Sequence, residues 1–571
     1  MPAKRLTPGV YGTEVDISEV VSPVGTSTGG VVIRTYKGPI ARPVLVTSQK
    51  EFVDTFGSPV FVSGTTSADT DTPEYGYGSY AALEFLKESR FLYVVRDYDT
   101  NDRFSSLIFD TNGSTSGLTS GIAASADSNN PDKINEIYAL DQYSLTGKTL
   151  LIGSVGPGTD GNNLAVTVQT FSSACDWFNS YDTYSSATDT SAHPIGSQVF
   201  KIQVYSKGST ETWANIAFSA ISASPIETWY GTRSSVLDGN NNQLKIDQVV
   251  NGYSKYIYVK PGTGDFTGTT LNTVTTVTPL LGGTVAIGTN IGITDGWSYF
   301  NNKEDVDVNI LIIPDYSMNV KTYVANIAAT RRDCIAVGQT GQRSRNTVAT
   351  VKTDETYGYT NPSYMALYGG WTKIYDTYND KNVYIPNSII GAELMARVDR
   401  IANVWEAPAG INNGVIGSLT QNVRFSFDNI GLLYEANINT PRFIKNVGDV
   451  MWGQKTAQMK KSALDRINVR RLLIYINSTI ETSLLPFLFQ MNNSATRLRV
   501  SSILDSFLSG VRAAGGLNAY TIVCNETNNT SQIIDSNILA VDIFCQPVRI
   551  IEFIELKTII TRTGVSIAEI V

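Results

Sequence analysis

Apolar residues recur with different periods along this chain, and the texture changes near residues 100 and 300. Within TPGVYGTEVDISE, a Pro-Gly turn precedes Val10, Val15 and Ile17 among polar residues, which predicts a short lone strand. The run GGVVIRTYKGPI predicts a second strand, closed by Gly38-Pro39. In SQKEFVDTFGSP, Ser48 caps, Glu51 follows three residues later, Phe52 and Phe56 share a face and Gly57 stops the turn, which predicts a helix. SYAALEFLKESR predicts another short helix leading into the apolar strand FLYVVRDY. Strand, helix and strand in this order indicate an α/β layer.

From about 100 to 300, Ser, Thr, Asn and Gly dominate, and short alternating runs such as NLAVTVQTF and FKIQVYS stand between turns. This predicts a β-rich insert of one or two subdomains, without an internal repeat. At VDVNILIIPD the α/β texture returns. SIIGAELMARVDRIANVW sets Ile390, Leu394, Val398 and Ile401 on one helical face. INVRRLLIYINSTIETSLLPF aligns Val469, Leu472, Leu473, Ile476, Ile480 and Leu484 up to Pro486, the longest helical pattern in the chain. SSILDSFLSGVRAAGG predicts a third helix with a Gly-Gly stop. YTIVCNE and NILAVDIFCQP alternate as strands, with Leu539, Val541, Ile543 and Cys545 facing one way. The closing VRIIEFIELKTII reads as a strand of the chain's own core with both faces partly buried, TRTG as a turn, and VSIAEIV as a separate arm carrying Val565, Ile567 and Ile570.

Composition narrows the class. With 571 residues the chain holds several domains, and 42% apolar residues suffice for real cores. A net charge of −8 argues against general nucleic-acid binding, which needs a basic surface. Cys175, Cys334, Cys524 and Cys545 form no CxxC pair, so neither a zinc site nor a disulfide framework is expected; Cys524 and Cys545 read as core thiols of a protein made in a reducing cytoplasm. MPAKRLTPGV carries no apolar leader core, no apolar run reaches the length of a membrane span, and the closing segment is interrupted by Arg549, Glu552, Glu555 and Lys557. No direct membrane insertion is therefore expected.

Candidate chemistry is sparse. GPGTDG at Gly156–Gly161 matches GxGxxG, but a dinucleotide site needs a helix directly after the glycines, and NNLAVTVQTF is an alternating strand. A turn between strands is the better reading. The single histidine, His193, sits before a proline in a polar loop, which excludes HExxH zinc sites and disfavours histidine triads. No P-loop is present. The chain is read as a non-enzyme with no cofactor and no metal. One basic stretch, Lys455, Lys460, Lys461, Arg466, Arg470 and Arg471 with Asp465 among them, reads either as a docking face for an acidic partner or as a solvated helix face with internal ion pairs.

The order of these segments resembles the contractile tail sheath proteins of bacteriophages, in particular the T-even-like myophages. The resemblance rests on TPGVYGTEVD, GGVVIRTYKGPIARPVLVTSQKEFVDTFGSP, GPGTDGNNLAVTV, YIPNSIIGAELMARVDRIANVWEAPAG, GLLYEANINTPRFIKNVGDVMWGQKTA and RINVRRLLIYI in family order. It covers roughly residues 1–100 and 300–571, and FLFQMNN after the long helix departs from the family's usual phrase.

The resemblance implies an α+β multidomain fold: a discontinuous α/β core sheath domain, β-rich inserts pointing outward, and extended N- and C-terminal strand arms. The expected layout is an arm at 1–22, a middle α/β domain from 23–99 with 300–425, the insert at 100–299, a tube-proximal core domain at 426–562 and a second arm at 563–571. Val10, Tyr11, Val15, Ile17, Val565, Ile567 and Ile570 are the implied inter-subunit strand residues, and Lys460, Lys461, Arg466, Arg470 and Arg471 the candidate tube-facing ones. NNTSQIIDSN is the alternative tube contact. Implied partners are further copies in stacked hexameric rings, the tail tube, and baseplate and neck or terminator proteins, in a virion assembled in a bacterial cytoplasm, without nucleic acid. The sheath of a pyocin-like injection device is the nearest alternative. A glycan-binding or glycan-cleaving phage-surface β-protein is the alternative of a different class.

Overall fold

The computed structural model describes residue 25 and residues 27–61, 73–99, 101–110, 115–117, 122–123, 143–145, 148–171, 199–207, 225–232, 245–262, 277–285, 293–343, 347–352 and 359–555. The chain divides into two compact units, residues 25–471 and residues 472–571 with 1–24.

The larger unit is built on a seven-stranded sheet. Its strands are β1 (Gly29–Ile33), β2 (Pro43–Val46), β3 (Leu92–Arg96), β4 (Ile310–Ile313), β5 (Ile335–Thr340), β6 (Met365–Gly369) and β7 (Ile438–Asn439), in the spatial order β2-β3-β1-β4-β5-β6-β7. All neighbours are parallel except β2, which runs antiparallel to β3 at the edge. Pro43 opens that edge strand, where a missing N–H costs least. The central strands β1, β4, β5 and β6 are buried throughout, as a sheet covered on both faces requires.

Helices supply the two covers. A Cβ at Gly29 would meet Phe85 of α2 (Gly78–Phe85), while one at Gly30 would meet Phe300 beside the helix Ile293–Ser298. Adjacent strand residues point to opposite faces, so these two helices lie on opposite sides of the sheet. α1 (Gln49–Phe56) forms as its local signals predict: the Ser48 side chain accepts from the Glu51 N–H at 3.2 Å, Phe52 and Phe56 are buried, and Gly57 turns the chain at φ 88°. α3 (Met318–Arg331) packs on β4 and β5, and α4 (Asn387–Ile401) packs on α2 and on β4, β5 and β6.

α4 is buried almost all round from Asn387 to Ala396, and Ile401, expected on its apolar face, is 53% exposed. Between α2 and α4 lies a charge cluster. Arg397 donates to Glu88 at 2.9 Å and Glu393 at 2.6 Å, and Lys87 pairs with Glu84 at 2.5 Å. Burial, followed by the Glu84 charge, pushes the Glu393 carboxyl up to about 7 against the pull of Arg397 and Lys87. The folded state therefore holds a proton that the unfolded chain has released, and the resulting stability is lost as pH rises from near 4.5 through 7. Denaturant midpoints should fall between pH 5 and pH 8 in the natural chain, and fall less in Glu393→Gln. Equal pH dependence in both would exclude this carboxyl as the cause.

The insert lies between β3 and β4, and its described residues hold a short ladder of Arg103–Phe104 with Ile122–Ala123 and, as the alternating runs predict, two antiparallel four-stranded sheets. One orders Glu227–Thr232, Val199–Ser206, Leu164–Phe171 and Thr278–Pro279; the other orders Ile257–Pro261, Lys148–Ser154, Ser106–Asp110 and Thr115–Gly117. They share a core of Leu107, Phe109, Leu150, Ile152, Val166, Val168, Ile202 and Val204 with the helix residues Ile246 and Val250. A second core, with Phe104, Ile108, Leu151 and Tyr258, takes in Ile40 and Ala41 of the segment before β2.

In the smaller unit, α6 (Ser494–Ala513) packs on the hairpin of β10 (Leu517–Val523) and β11 (Asp542–Pro547), which follow the larger unit's β8 (Pro441–Ile444) and β9 (Gly448–Met451) in the chain. α5 (Ile467–Leu484) begins in the larger unit and continues into the smaller. Phe487, Val500, Leu504 and Cys524 form the smaller unit's core, with Ile480, Leu484, Ile522, Leu539, Val541 and Ile543 against it. α6 is longer than α5 and starts at Ser494, ahead of the predicted Ser501, because Asn493 caps it by accepting from the Thr496 N–H at 2.8 Å.

Candidate functional site

The glycine-rich turn is structural. Thr159–Asn163 is a single tight turn that enters the strand Leu164–Phe171 directly, so no helix N-terminus is aimed at the glycines. Their smallness serves backbone packing: a Cβ on Gly156 would sit 2.1 Å from the Gly38 carbonyl oxygen and one on Gly158 2.0 Å from that of Tyr36. Arg96, fully buried at the end of β3, donates to the carbonyls of Thr35 at 3.0 Å, Gly38 at 2.6 Å and Pro157 at 2.7 Å. Beside it, Arg34 and Asp102 form a buried ion pair at 3.0 Å. The motif is thus the root of the insert, fixed to the sheet by a guanidinium.

The described residues contain no group of three or more His, Cys, Asp or Glu side chains placed to hold a metal ion, and no helix among them is long and apolar enough to cross a membrane. Cys334, Cys524 and Cys545 are all unpaired; Cys334 is fully buried, and burial drives its thiol well above the ordinary range. Cys175 and His193 lie outside the described residues.

The structure divides the basic stretch. Lys460 and Lys461 are exposed on a loop, and Arg466 pairs with the adjacent Asp465 at 3.1 Å. Arg470 and Arg471, at the start of α5, point inward. Arg470 stacks 4.1 Å from the Tyr364 ring and donates to the Ser363 hydroxyl at 2.5 Å, while Arg471 meets the buried Asp399 at 2.5 Å. A surface formed by all five is therefore absent, and only the two lysines remain wholly available to a partner.

The surfaces that invite partners are sheet edges and apolar tips. β10 and β11 pair only with each other among the described residues, so each presents an unpaired backbone edge, and Phe544 stands 64% exposed on the outer face. After β11, residues 548–555 form no strand. Ile551, Phe553 and Ile554 are 77%, 82% and 86% exposed. This corrects the expectation of a half-buried core strand: the alternation suits a strand, but a strand needs a partner, and none stands beside it among the described residues. The stretch FLFQMNN, read as a mere departure from the family, forms a second apolar tip, with Leu485, Leu488, Phe489 and Met491 exposed and Phe489 in the left-handed region at φ 65°. The arm residues Val10, Tyr11, Val15, Ile17, Val565, Ile567 and Ile570 lie outside the described residues.

Residues 459–561 match the family model of the phage tail sheath C-terminal domain. The chain is 31% identical over 301 residues to a tail sheath protein of Enterobacteria phage T4, covering 49% of this chain and 46% of that one. It is 34% identical over 213 residues to a tail sheath protein of Vibrio phage KVP40, covering 37% of this chain and 31% of that one. The matches thus span less than half the length of these relatives. A crystal structure of a sheath tail protein from Listeria innocua shares the fold, with TM-score 0.52 over 90% of this chain and 91% of that chain at 11% identity.

Proposed function

We propose, from its kinship with the tail sheath proteins of T4-like phages, that this chain is the structural subunit of a contractile tail sheath. It polymerises as stacked six-membered rings around a tail tube and shortens to drive the tube through a host envelope. The observation that carries the reading is the match of residues 459–561 to the sheath C-terminal domain, the region that holds the open hairpin and the exposed apolar segment. Two free edges, one on β10 and one on β11, suit two incoming strands, and the chain has two candidate arms, at 1–22 and 563–571. Backbone ladders give such joints affinity, and alternate side chains set their register. An arm that stays paired while the bodies rotate lets a lattice change shape without coming apart.

In this reading the 100–299 insert faces outward, residues 426–562 lie nearest the tube, and Lys460 and Lys461 are the members of the basic stretch left to meet it. Further partners are the baseplate and the neck or terminator proteins, and the protein resides in the virion tail. The energy for shortening is stored at assembly, with no nucleotide consumed. Negative-stain electron microscopy of the purified chain tests the reading directly. Hollow tubes or rings are expected, whereas a persistent monomer that cleaves glycans would overturn it.

A further inference from the structure

A second surface in the larger unit has the character of an interface. Among the described residues, β8 pairs with β9 on one side only. On β9's other side, the Met451 N–H reaches the Gly414 carbonyl at 2.7 Å and the Ile416 N–H reaches the Asp449 carbonyl at 2.9 Å. In an antiparallel pair the outward-facing residues alternate, so these bonds direct Arg442 and Ile444 toward β9 and leave the N–H and C=O of Phe443 on the open edge. Along that edge lies a cleft lined by Arg424, Phe427, Arg442, Phe443 and Asp449. Arg424 stacks 4.2 Å from the Phe443 ring, and Arg442 lies 4.7 Å from Phe427 and 4.9 Å from Trp452. Phe427 is 67% and Phe443 49% exposed.

Three features indicate a missing occupant. Neither guanidinium has a carboxylate partner among the described residues, and a stacked guanidinium keeps its in-plane donors available. Arg424 is exposed and Arg442 half-buried, and arginine with exposed aromatic side chains is the composition of interface hot spots. Asp449, 6% exposed, accepts the Ser418 hydroxyl on Oδ2 at 3.1 Å, whereas its buried Oδ1 has no partner and can take an N–H from an incoming backbone. The occupant should therefore be acidic, with a backbone N–H able to reach the cleft.

The chain supplies such a segment. Glu304, Asp305 and Asp307 place three carboxylates within four residues, a density reached nowhere else in the sequence, and all three are exposed. The loop is shaped by Asn302, which donates to Asp305 Oδ2 at 2.8 Å and accepts from the Glu304 N–H at 3.1 Å. Surrounding protein, and then the Asp333 charge, hold the Asp307 carboxyl above its ordinary range against the pull of Arg331.

We propose that the Glu304–Asp307 loop of one copy docks against the Arg424–Arg442 cleft and open β8 edge of a second copy. Because the two surfaces differ, the contact is heterologous and propagates into rings or helices rather than closing a dimer. The inference rests on the reading that copies of this chain polymerise.

The test is a charge swap. Arg424→Glu with Arg442→Glu, and separately Glu304→Arg with Asp305→Arg, should each raise the concentration needed for assembly at least about tenfold, a change of about 1.4 kcal/mol. The two pairs combined should recover most of the loss. If either pair assembles like the natural chain, or the combination is no better than either pair alone, the proposal is overturned. Carbodiimide cross-linking supplies a readout that does not require polymers. In a concentrated mixture of isotopically light and heavy chains, Lys445 at the hairpin tip should link to the 304–307 loop between copies, and the link should vanish in high salt. Absence of that link also overturns the contact. Failure of the natural chain to polymerise, with the link present, would instead count against the sheath reading.

Discussion

Replacing Arg96 by methionine is expected to destabilise the larger unit by about 4 kcal/mol or more. The side chain is fully buried and donates to three carbonyls, those of Thr35, Gly38 and Pro157. Hydrogen bonds to a charged partner contribute about 1.5–3 kcal/mol each, and a lost donor leaves buried acceptors dry. The contributions are not additive, which is why the lower end of their sum is the figure given. The neighbouring backbone cannot close the gap, since the glycine turn is already pressed against the Tyr36 and Gly38 carbonyls. Urea unfolding should show a lowered midpoint, and limited proteolysis should cut near Pro157 before cutting elsewhere. Arg96→Lys should fall between, because one ammonium cannot span three acceptors in a fork. A midpoint within about 0.5 kcal/mol of the natural chain, the range of ordinary surface changes, would show that the guanidinium does not hold the insert's root.

The same turn shows which parts of the fold the sequence made legible. That the glycines were no phosphate cradle followed from the alternation of NNLAVTVQTF, a local signal, and the strand Leu164–Phe171 bears it out. α1 was equally local: cap, apolar pair and glycine stop all lie within ten residues, from Ser48 to Gly57. What the glycines pack against was not legible, because Tyr36 and Gly38 lie more than a hundred residues away and backbone proximity leaves no trace in composition. α6 was read too short because SATRLR looks polar, yet Arg497 is buried on the same face as Val500 and Leu504. A long aliphatic stem can serve as core while its head stays bonded, here to Asn492 Oδ1 at 2.9 Å.

The candidate surfaces were legible in a different way. The basic stretch was read from proximity in sequence, but its residues fall on a loop, a turn and a helix start, and the helix phase turns Arg470 and Arg471 inward. Ion partners such as Asp399 and stacking partners such as Tyr364 come from distant segments, so neither burial could be foreseen. The closing apolar alternation was read as a half-buried strand of its own chain, and residues 548–555 are instead exposed and form no strand. Periodicity reports the need for a partner without saying which chain supplies it.

Replacing Ile551, Phe553 and Ile554 together by serine should leave the single chain's stability nearly unchanged and abolish polymerisation. The argument rests on where these side chains stand. At 77%, 82% and 86% exposure they have little of the folded subunit to lose, so thermal and denaturant midpoints should move by no more than about 0.5 kcal/mol per substitution. If the segment is buried on a neighbouring copy, each apolar side chain contributes about 1.5–3 kcal/mol, or roughly 5–9 kcal/mol per subunit before ordering costs. Every subunit repeats the contact, so the loss is multiplied along the lattice and falls on assembly alone. Sedimentation velocity should show a monomer with the natural chain's midpoint where the natural chain forms large particles. Tubes of normal length from the triple variant would remove this segment from the set of linking elements. A large fall in the monomer's own midpoint would place the segment inside its own subunit and restore the half-buried strand that the sequence first suggested.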